Sequence, residues 1–240
     1  MQRLDTERSG EWERSMRIPS GAVVLDGELI IPSGASGVVL FAHGSGSIRY
    51  DSRNQYVARV IREAGIGTLL FDLLTAEEEA VDMYTRRLSF DIDLLADRLV
   101  DATKWIDEER RRLKYQTGAQ HLSVGYFGAS TGAVAALVAA RLGESIGAVV
   151  SRGDRPDLAG DVLPLVAPPT LLIVGGADGL VIELNKEAFA SLRCKKEMKI
   201  VPGATRLFEE HGALEQVARL AAEWFKEHLQ AQPRASAASG

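Results

Sequence analysis

The chain has 240 residues, of which 46% are hydrophobic and 25% charged, and its formal net charge is −5. These values are typical of a globular protein, and the acidic balance without a basic stripe argues against nucleic acid as a partner. The charged first residues lack the apolar core of a secretory signal, which predicts a cytoplasmic location. No apolar run approaches the roughly 20 residues of a membrane helix, so no membrane contact is expected.

Strand and helix signals alternate along the chain. The N-terminal part predicts two short strands that turn at Asp26-Gly27, a common hairpin dipeptide. Short apolar runs then alternate with helical periodicity. The further strands are predicted at 37–42, 67–74, 122–127, 146–153, 169–176 and 198–203, and the helices at 54–64, 90–112, 131–142, 182–192 and 213–229. The acidic stretch TAEEEAVD is predicted to be a loop.

This order of elements predicts a single α/β domain over residues 16–230. Its core is a doubly wound, mostly parallel sheet with helices on both faces, and the N-terminal hairpin forms an antiparallel edge. Residues 1–15 are expected to be a polar tail and residues 231–240 a disordered one. Ligands bind beyond the carboxyl ends of strands in such sheets, so the residues that follow each strand are the candidates for function.

The stretch GYFGASTGA changes from strand to helix character around Ser130. In this GxSxG pattern, small neighbours permit a sharp strand-to-helix turn that exposes the serine as a nucleophile. The amide of Thr131, at the helix start, is then free to stabilise an oxyanion. A second such amide is expected after the strand at 37–42, at Ser45. A tight structural turn is the simpler interpretation of the same residues.

An acid and a histidine follow later strands. Asp178 comes after the strand at 169–176 and His211 after the last strand, in the order serine, acid, histidine that this kind of site uses on such a sheet. Asp178 would orient the imidazole of His211, which would take the proton of Ser130. The simpler interpretations are a helix cap or turn for Asp178 and a surface residue near a helix start for His211.

Other polar residues lie near the first parallel strand. His43 ends that strand and is interpreted as shaping the oxyanion loop rather than as a base. Arg49 and Arg53 are candidates to hold a substrate carboxylate, although solvated surface arginines are the simpler interpretation. A single cysteine in the chain excludes a cysteine-rich metal site, and no metal or organic cofactor is expected.

Five stretches together resemble the dienelactone hydrolase-like branch of the α/β-hydrolase superfamily. They are GVVLFAHGSGSIRYDSRN, GTLLFDLLTAEEE, VGYFGASTGA, TLLIVGGADGLVIELN and KIVPGATRLFEEHGALE. The resemblance covers about residues 16–229 and implies a nucleophile at Ser130, an acid at Asp178 and oxyanion amides near Ser45 and Thr131. Dienelactone hydrolases proper carry a cysteine nucleophile, so a serine there implies esterase-like chemistry.

The resemblance fails at the base. Relatives place a histidine directly after the last strand, in a pattern like VPGATHLF, whereas this chain has Arg206 at that position. Arginine keeps its proton at neutral pH and cannot act as a base. His211 stands five residues on, near a helix start whose dipole disfavours imidazolium. The base is therefore either absent or displaced to His211.

Three functions follow from these alternatives. The first is a serine hydrolase that cleaves a small ester or lactone through an acyl-enzyme at Ser130. The second is a non-catalytic binding protein on the same fold, in which Arg206 fills the pocket or pairs with Asp178. The third is an engineered serine hydrolase that is acylated or phosphorylated at Ser130 with little turnover.

Overall fold

The computed structural model describes residues 10–43, 49–119, 122–142, 146–153 and 155–229. Eight strands form one sheet in the order β1-β2-β4-β3-β5-β6-β7-β8. The strands are β1 (Glu11–Ser20), β2 (Val23–Pro32), β3 (Gly37–His43), β4 (Gly67–Phe71), β5 (Ser123–Ala129), β6 (Ile146–Arg152), β7 (Thr170–Gly175) and β8 (Lys196–Val201). Strands β3 to β8 pair in parallel, whereas β2 pairs antiparallel with both β1 and β4.

Helices cover both faces of the sheet. They are α1 (Ser52–Glu63), α2 (Ala76–Thr85), α3 (Ile92–Thr117), α4 (Thr131–Leu142), α5 (Gly179–Ser191) and α6 (Ala213–His228), with 3₁₀ turns over Pro156–Leu165. Along β3, Val38 and Leu40 belong to one buried apolar cluster and Val39 and Phe41 to the other. The predicted doubly wound architecture is thereby confirmed. In the described part of the chain, no helix has both the length and the apolar character that crossing a bilayer requires.

The N-terminal hairpin forms as predicted, but its turn was predicted in the wrong place. The chain turns at Gly21, which has a φ of +54°, while Asp26-Gly27 lies inside β2. A Cβ at position 27 would come within 2.9 Å of the Cβ of Phe71. Gly27 therefore serves the close pairing of β2 with β4 rather than a turn.

The first strand begins earlier than the sequence predicts. It starts at Glu11, so residues 11–15 of the predicted polar tail pair with β2. The remainder of that tail, residues 1–9, and the predicted C-terminal tail lie outside the described residues.

The predicted acidic loop is a helix, α2. The Thr75 hydroxyl accepts a hydrogen bond from the Glu78 backbone N–H at 3.2 Å, and the Glu78 carboxylate accepts one from the Thr75 N–H at 2.9 Å. This reciprocal capping box satisfies two backbone donors at the helix start. Glutamates in the first turn also favour the helix through its dipole, so the acidic run starts a helix instead of remaining a loop.

Candidate active site

Ser130 occupies the turn between β5 and α4. It is exposed and has a φ of +55°, a left-handed conformation that is uncommon for residues other than glycine. The Ala133 N–H donates to the Ser130 carbonyl at 2.8 Å, which ties the turn to the first residues of α4. The strained backbone presents the serine side chain at the carboxyl edge of the sheet, where such strain often accompanies function.

Two positions beside this turn have no room for a side chain, and glycine occupies both. A Cβ at Gly128 would come within 2.4 Å of the Ala133 Cα, and one at Gly132 within 2.2 Å of the Ala42 carbonyl oxygen. Real Cβ atoms essentially never approach so closely. The start of α4 therefore packs directly against the end of β3.

One of the two candidate oxyanion donors, the Thr131 N–H, lies at the start of α4. Thr131 is the first residue of α4, and the first backbone N–H groups of a helix have no partner within it. His43 ends β3, is half-buried and pairs in register with Ala129, directly before Ser130. Ser45, predicted to supply the second amide, lies outside the described residues.

Asp178 follows β7 and begins α5. Its carboxylate accepts a hydrogen bond from the Val181 N–H at 3.1 Å, so it caps the helix. The loop that carries it is joined to the next loop, because the Ala177 N–H donates to the Ala204 carbonyl at 2.9 Å. This contact places the loops after β7 and β8 side by side.

The loop after β8 reaches back towards β5. Its residues 205–208 form a turn closed by the Phe208 N–H and the Thr205 carbonyl at 3.2 Å, and the Phe208 side chain is buried. A Cβ at Gly153 would lie 2.6 Å from the Phe208 ring and 2.7 Å from the Arg206 carbonyl. The loop therefore crosses the end of β6, which lies next to β5.

The structure does not join the predicted triad by hydrogen bonds. His211 is exposed and precedes Gly212, the N-cap of α6. Within the described ranges, no hydrogen bond or ion pair links His211 to Ser130 or Asp178, and none links Arg206 to Asp178. Ser130, Asp178 and the loop of His211 thus share one edge of the sheet, and no hydrogen bond or ion pair between the described residues joins the three side chains.

The two arginines proposed to hold a carboxylate already contact carboxylates of the chain. The Arg49 Nε lies 2.8 Å from the Asp72 Oδ2, at the end of β4. The Arg53 Nη2 lies 2.9 Å from the Asp51 Oδ2, and its Nη1 lies 3.7 Å from Glu209. Arg53 therefore connects the start of α1 to the loop after β8.

Sequence reasoning missed a buried cation at this edge. Arg152 ends β6, is 5% exposed and pairs in register with Ala129. Its guanidinium carbon lies 5.9 Å from the centroid of the Phe127 ring, within the range of a cation–π contact. The available signal was an arginine that ends an apolar strand at the edge where ligands bind.

A cleft of about 780 Å³ lies between the N-terminal hairpin, the end of β4 and the start of α2, and its lining includes none of the three candidate triad residues. Its lining combines Tyr50 and Leu74 with the Arg49–Asp72 ion pair and with Glu77. Strand β4, which leads to Asp72, is separated from β5 by β3 alone, which amounts to about 10 Å across the sheet. Among the described residues, no group of three or more histidine, cysteine or carboxylate side chains is arranged to hold a metal ion.

These features define a class of protein. A mostly parallel sheet covered on both faces, with a strained serine on a strand-to-helix turn, is the α/β-hydrolase fold. A cold-adapted esterase from an Arctic intertidal metagenomic library has this fold, with a TM-score of 0.71 over 94% of this chain and 97% of its own. The two sequences are 16% identical, so this likeness concerns the fold alone.

A second solved structure shows the family. The dienelactone hydrolase from Anabaena variabilis is 55% identical to this chain and superposes with a TM-score of 0.84. The alignment covers 92% of this chain and 100% of that one. The chain therefore belongs to the dienelactone hydrolase family, as predicted. No family model matches it.

Two curated relatives carry a different description. They are putative phosphoribosyl transferases from two strains of Mycobacterium tuberculosis, CDC 1551 and H37Rv, and each is 54% identical to this chain over 218 residues. The match covers 90% of this chain and 47% of each relative. The chain thus spans about half the length of the curated relatives it matches.

Proposed function

We propose that the chain is a serine hydrolase that cleaves small carboxylic esters or lactones through an acyl-enzyme at Ser130. The observation that carries the proposal is the exposed left-handed serine at the end of β5. A strained conformation costs about 1–3 kcal/mol, and Gly128 and Gly132 enforce it by close contact. A turn without a function would not need a serine in this conformation.

The chemistry would run in two steps. The Ser130 Oγ attacks the carbonyl carbon, the proton of its hydroxyl passes to a base, and the Thr131 and Ser45 amides stabilise the oxyanion. The alcohol leaves with that proton, and water then releases the acid from Ser130.

His211 is the base in this proposal, and Asp178 orients it. The loop after β8 supports the assignment, because it already crosses β6 and carries His211 at the same edge as Ser130. Because the imidazole is exposed and has no hydrogen bond to Asp178, the loop must move to complete the triad. Catalytic hydrogen bonds in unliganded sites are often formed only when substrate binds.

Hydrolysis of p-nitrophenyl acetate by three variants tests the proposal. Ser130→Ala should abolish turnover, whereas Ser52→Ala, at an exposed serine of α1, should not change it. His211→Ala should lower the rate by about 10²–10⁴-fold, the usual value of a general base. A parent rate that Ser130→Ala leaves unchanged would contradict the proposal.

A binding protein without turnover is the second candidate, and Arg206 favours it. An arginine at the position of the base, together with an exposed His211, describes a site without a working base. Arg206→His would then raise the hydrolysis rate, while His211→Ala would change nothing. If His211 is the base, Arg206→His should add little.

The mycobacterial relatives are named as putative phosphoribosyl transferases, not as hydrolases. We assign their transferase function to the half of each relative that this chain does not match, because the matched half has the fold and family of a hydrolase. In this proposal the chain has no phosphoribosyl transferase activity of its own.

A further inference from the structure

Helix α2 turns its polar side chains towards the protein. Of its ten residues only Asp82 is buried, and Glu78 lies one turn before it on the same face. The Glu78 carboxylate accepts hydrogen bonds from Arg98 at 2.6 and 2.7 Å. The Asp82 carboxylate accepts from the backbone N–H groups of Leu88 at 2.6 Å and Ser89 at 3.2 Å. Polar contacts, not apolar packing, therefore fix this helix to α3 and to the segment that follows it.

The outward face of α2 is apolar. Ala76, Ala80 and Tyr84 recur every four residues and so form one stripe, with Met83 beside it. Tyr84 is 83% exposed and Met83 67%. A surface helix normally buries its apolar stripe. A contiguous exposed apolar stripe of this kind indicates an interaction surface.

Charges of opposite sign flank this stripe. Glu77 and Glu79 lie in the first turn of α2, and Arg86 and Arg87 follow its last turn. Over the part of the chain that the structure describes, none of these four side chains forms an ion pair. The helix is thus acidic at one end, apolar in the middle and basic at the other end.

We propose that this surface binds α2 of a second copy of the chain in antiparallel orientation. The reversal places the acidic end of each helix against the basic end of the other. It also places Tyr84 of each copy over the small residues Ala76 and Ala80 of the other. One two-fold axis produces both sets of contacts, as in an isologous dimer. A parallel pair would instead align like charges.

The charge and the size of the α2 surface favour a second copy of the chain as its partner. The acidic first turn and the net charge of −5 disfavour anionic lipid surfaces and nucleic acid. A helix of ten residues is about 15 Å long and covers less than the roughly 800 Å² per partner of a stable interface. The exposed Phe90 enlarges the surface beyond the helix end. The dimer is therefore weak and depends on protein concentration.

Sedimentation velocity on the whole chain, from about 1 to 100 μM, tests the interface. The wild type should shift from monomer to dimer with rising concentration, and Tyr84→Ser should raise the dimer dissociation constant at least about tenfold. Tyr115→Ser is the matched control, because Tyr115 is 93% exposed on α3. Circular dichroism checks that all three proteins fold alike.

A charge exchange tests the antiparallel arrangement. Glu77→Lys with Glu79→Lys, and Arg86→Glu with Arg87→Glu, should each abolish self-association of the altered chain. Mixed in equal amounts, the two variants should form a heterodimer. One variant then carries positive charges at both ends of α2, and the other carries negative charges at both ends. A wild type that stays monomeric, a dimer that Tyr84→Ser leaves intact, or a mixture that does not associate would overturn the proposal.

Discussion

Ser130 keeps a backbone conformation that few residues other than glycine adopt, and its neighbours explain why. Position 132 tolerates no Cβ because α4 packs on Ala42, and the Ala133 N–H donates to the Ser130 carbonyl. The strain is therefore held by tight packing around the turn. Adding even one atom to a side chain next to Ser130 should consequently lower the stability of the protein.

Gly132→Ala should destabilise the protein by about 1–3 kcal/mol or more, as overpacking does. Its Cβ would lie 2.2 Å from the Ala42 carbonyl oxygen. Gly179→Ala is the matched control for stability, because a Cβ there meets nothing within 4 Å. Urea unfolding measures both. Equal stabilities of the two variants would show that the surrounding backbone accommodates a Cβ at position 132 without a loss of stability.

Asp178 caps α5 and is proposed to orient His211. One substitution separates these two roles. Asparagine caps helices as well as aspartate does, so Asp178→Asn should keep the hydrogen bond from Val181 and leave the melting temperature nearly unchanged. Ester turnover should fall, by up to about 10⁴-fold where the triad is fully coupled. Unchanged turnover would reduce Asp178 to the helix cap that the structure shows.

Among the helices, α2 differs most from the others in how it is held in place. Other helices bury apolar stripes, whereas α2 depends on the capping box at Thr75 and on the Glu78–Arg98 contact. Arg98 is itself buried, so it loses its charged partner if Glu78 is neutralised. The stability of α2 should therefore depend on pH more than that of the other helices.

Hydrogen bonding from Arg98 holds the pKa of Glu78 below its ordinary value of 4.5. The stability that this contact contributes is present above that value and is lost as the pH falls through the lower folded pKa. Glu78→Gln should cost about 1–3 kcal/mol near neutral pH, and its deficit against the wild type should shrink towards pH 3. Hydrogen exchange of the α2 amides measures the effect. A deficit that stays constant with pH would contradict it.

At the scale of the whole molecule, the sequence predicts the sheet better than the contacts at its edge. Strands β3 to β8 appear in the sequence as apolar runs, and the glycines around Ser130 indicate its turn, because both signals are local. The hairpin turn was misplaced because Gly27 serves packing against Phe71, a contact 44 positions away that no local dipeptide encodes. The burial of Arg152 and the exposure of His211 likewise depend on how the edge loops cross the sheet.

Ser130 is proposed to be an activated nucleophile, and labelling with a fluorophosphonate tests this proposal. The reagent needs an exposed serine and an oxyanion hole, so it reports on Ser130 even where turnover is slow. Intact-protein mass spectrometry should show one adduct on the wild type and none on Ser130→Ala. An unlabelled wild type, or an adduct that persists in Ser130→Ala, would contradict the account.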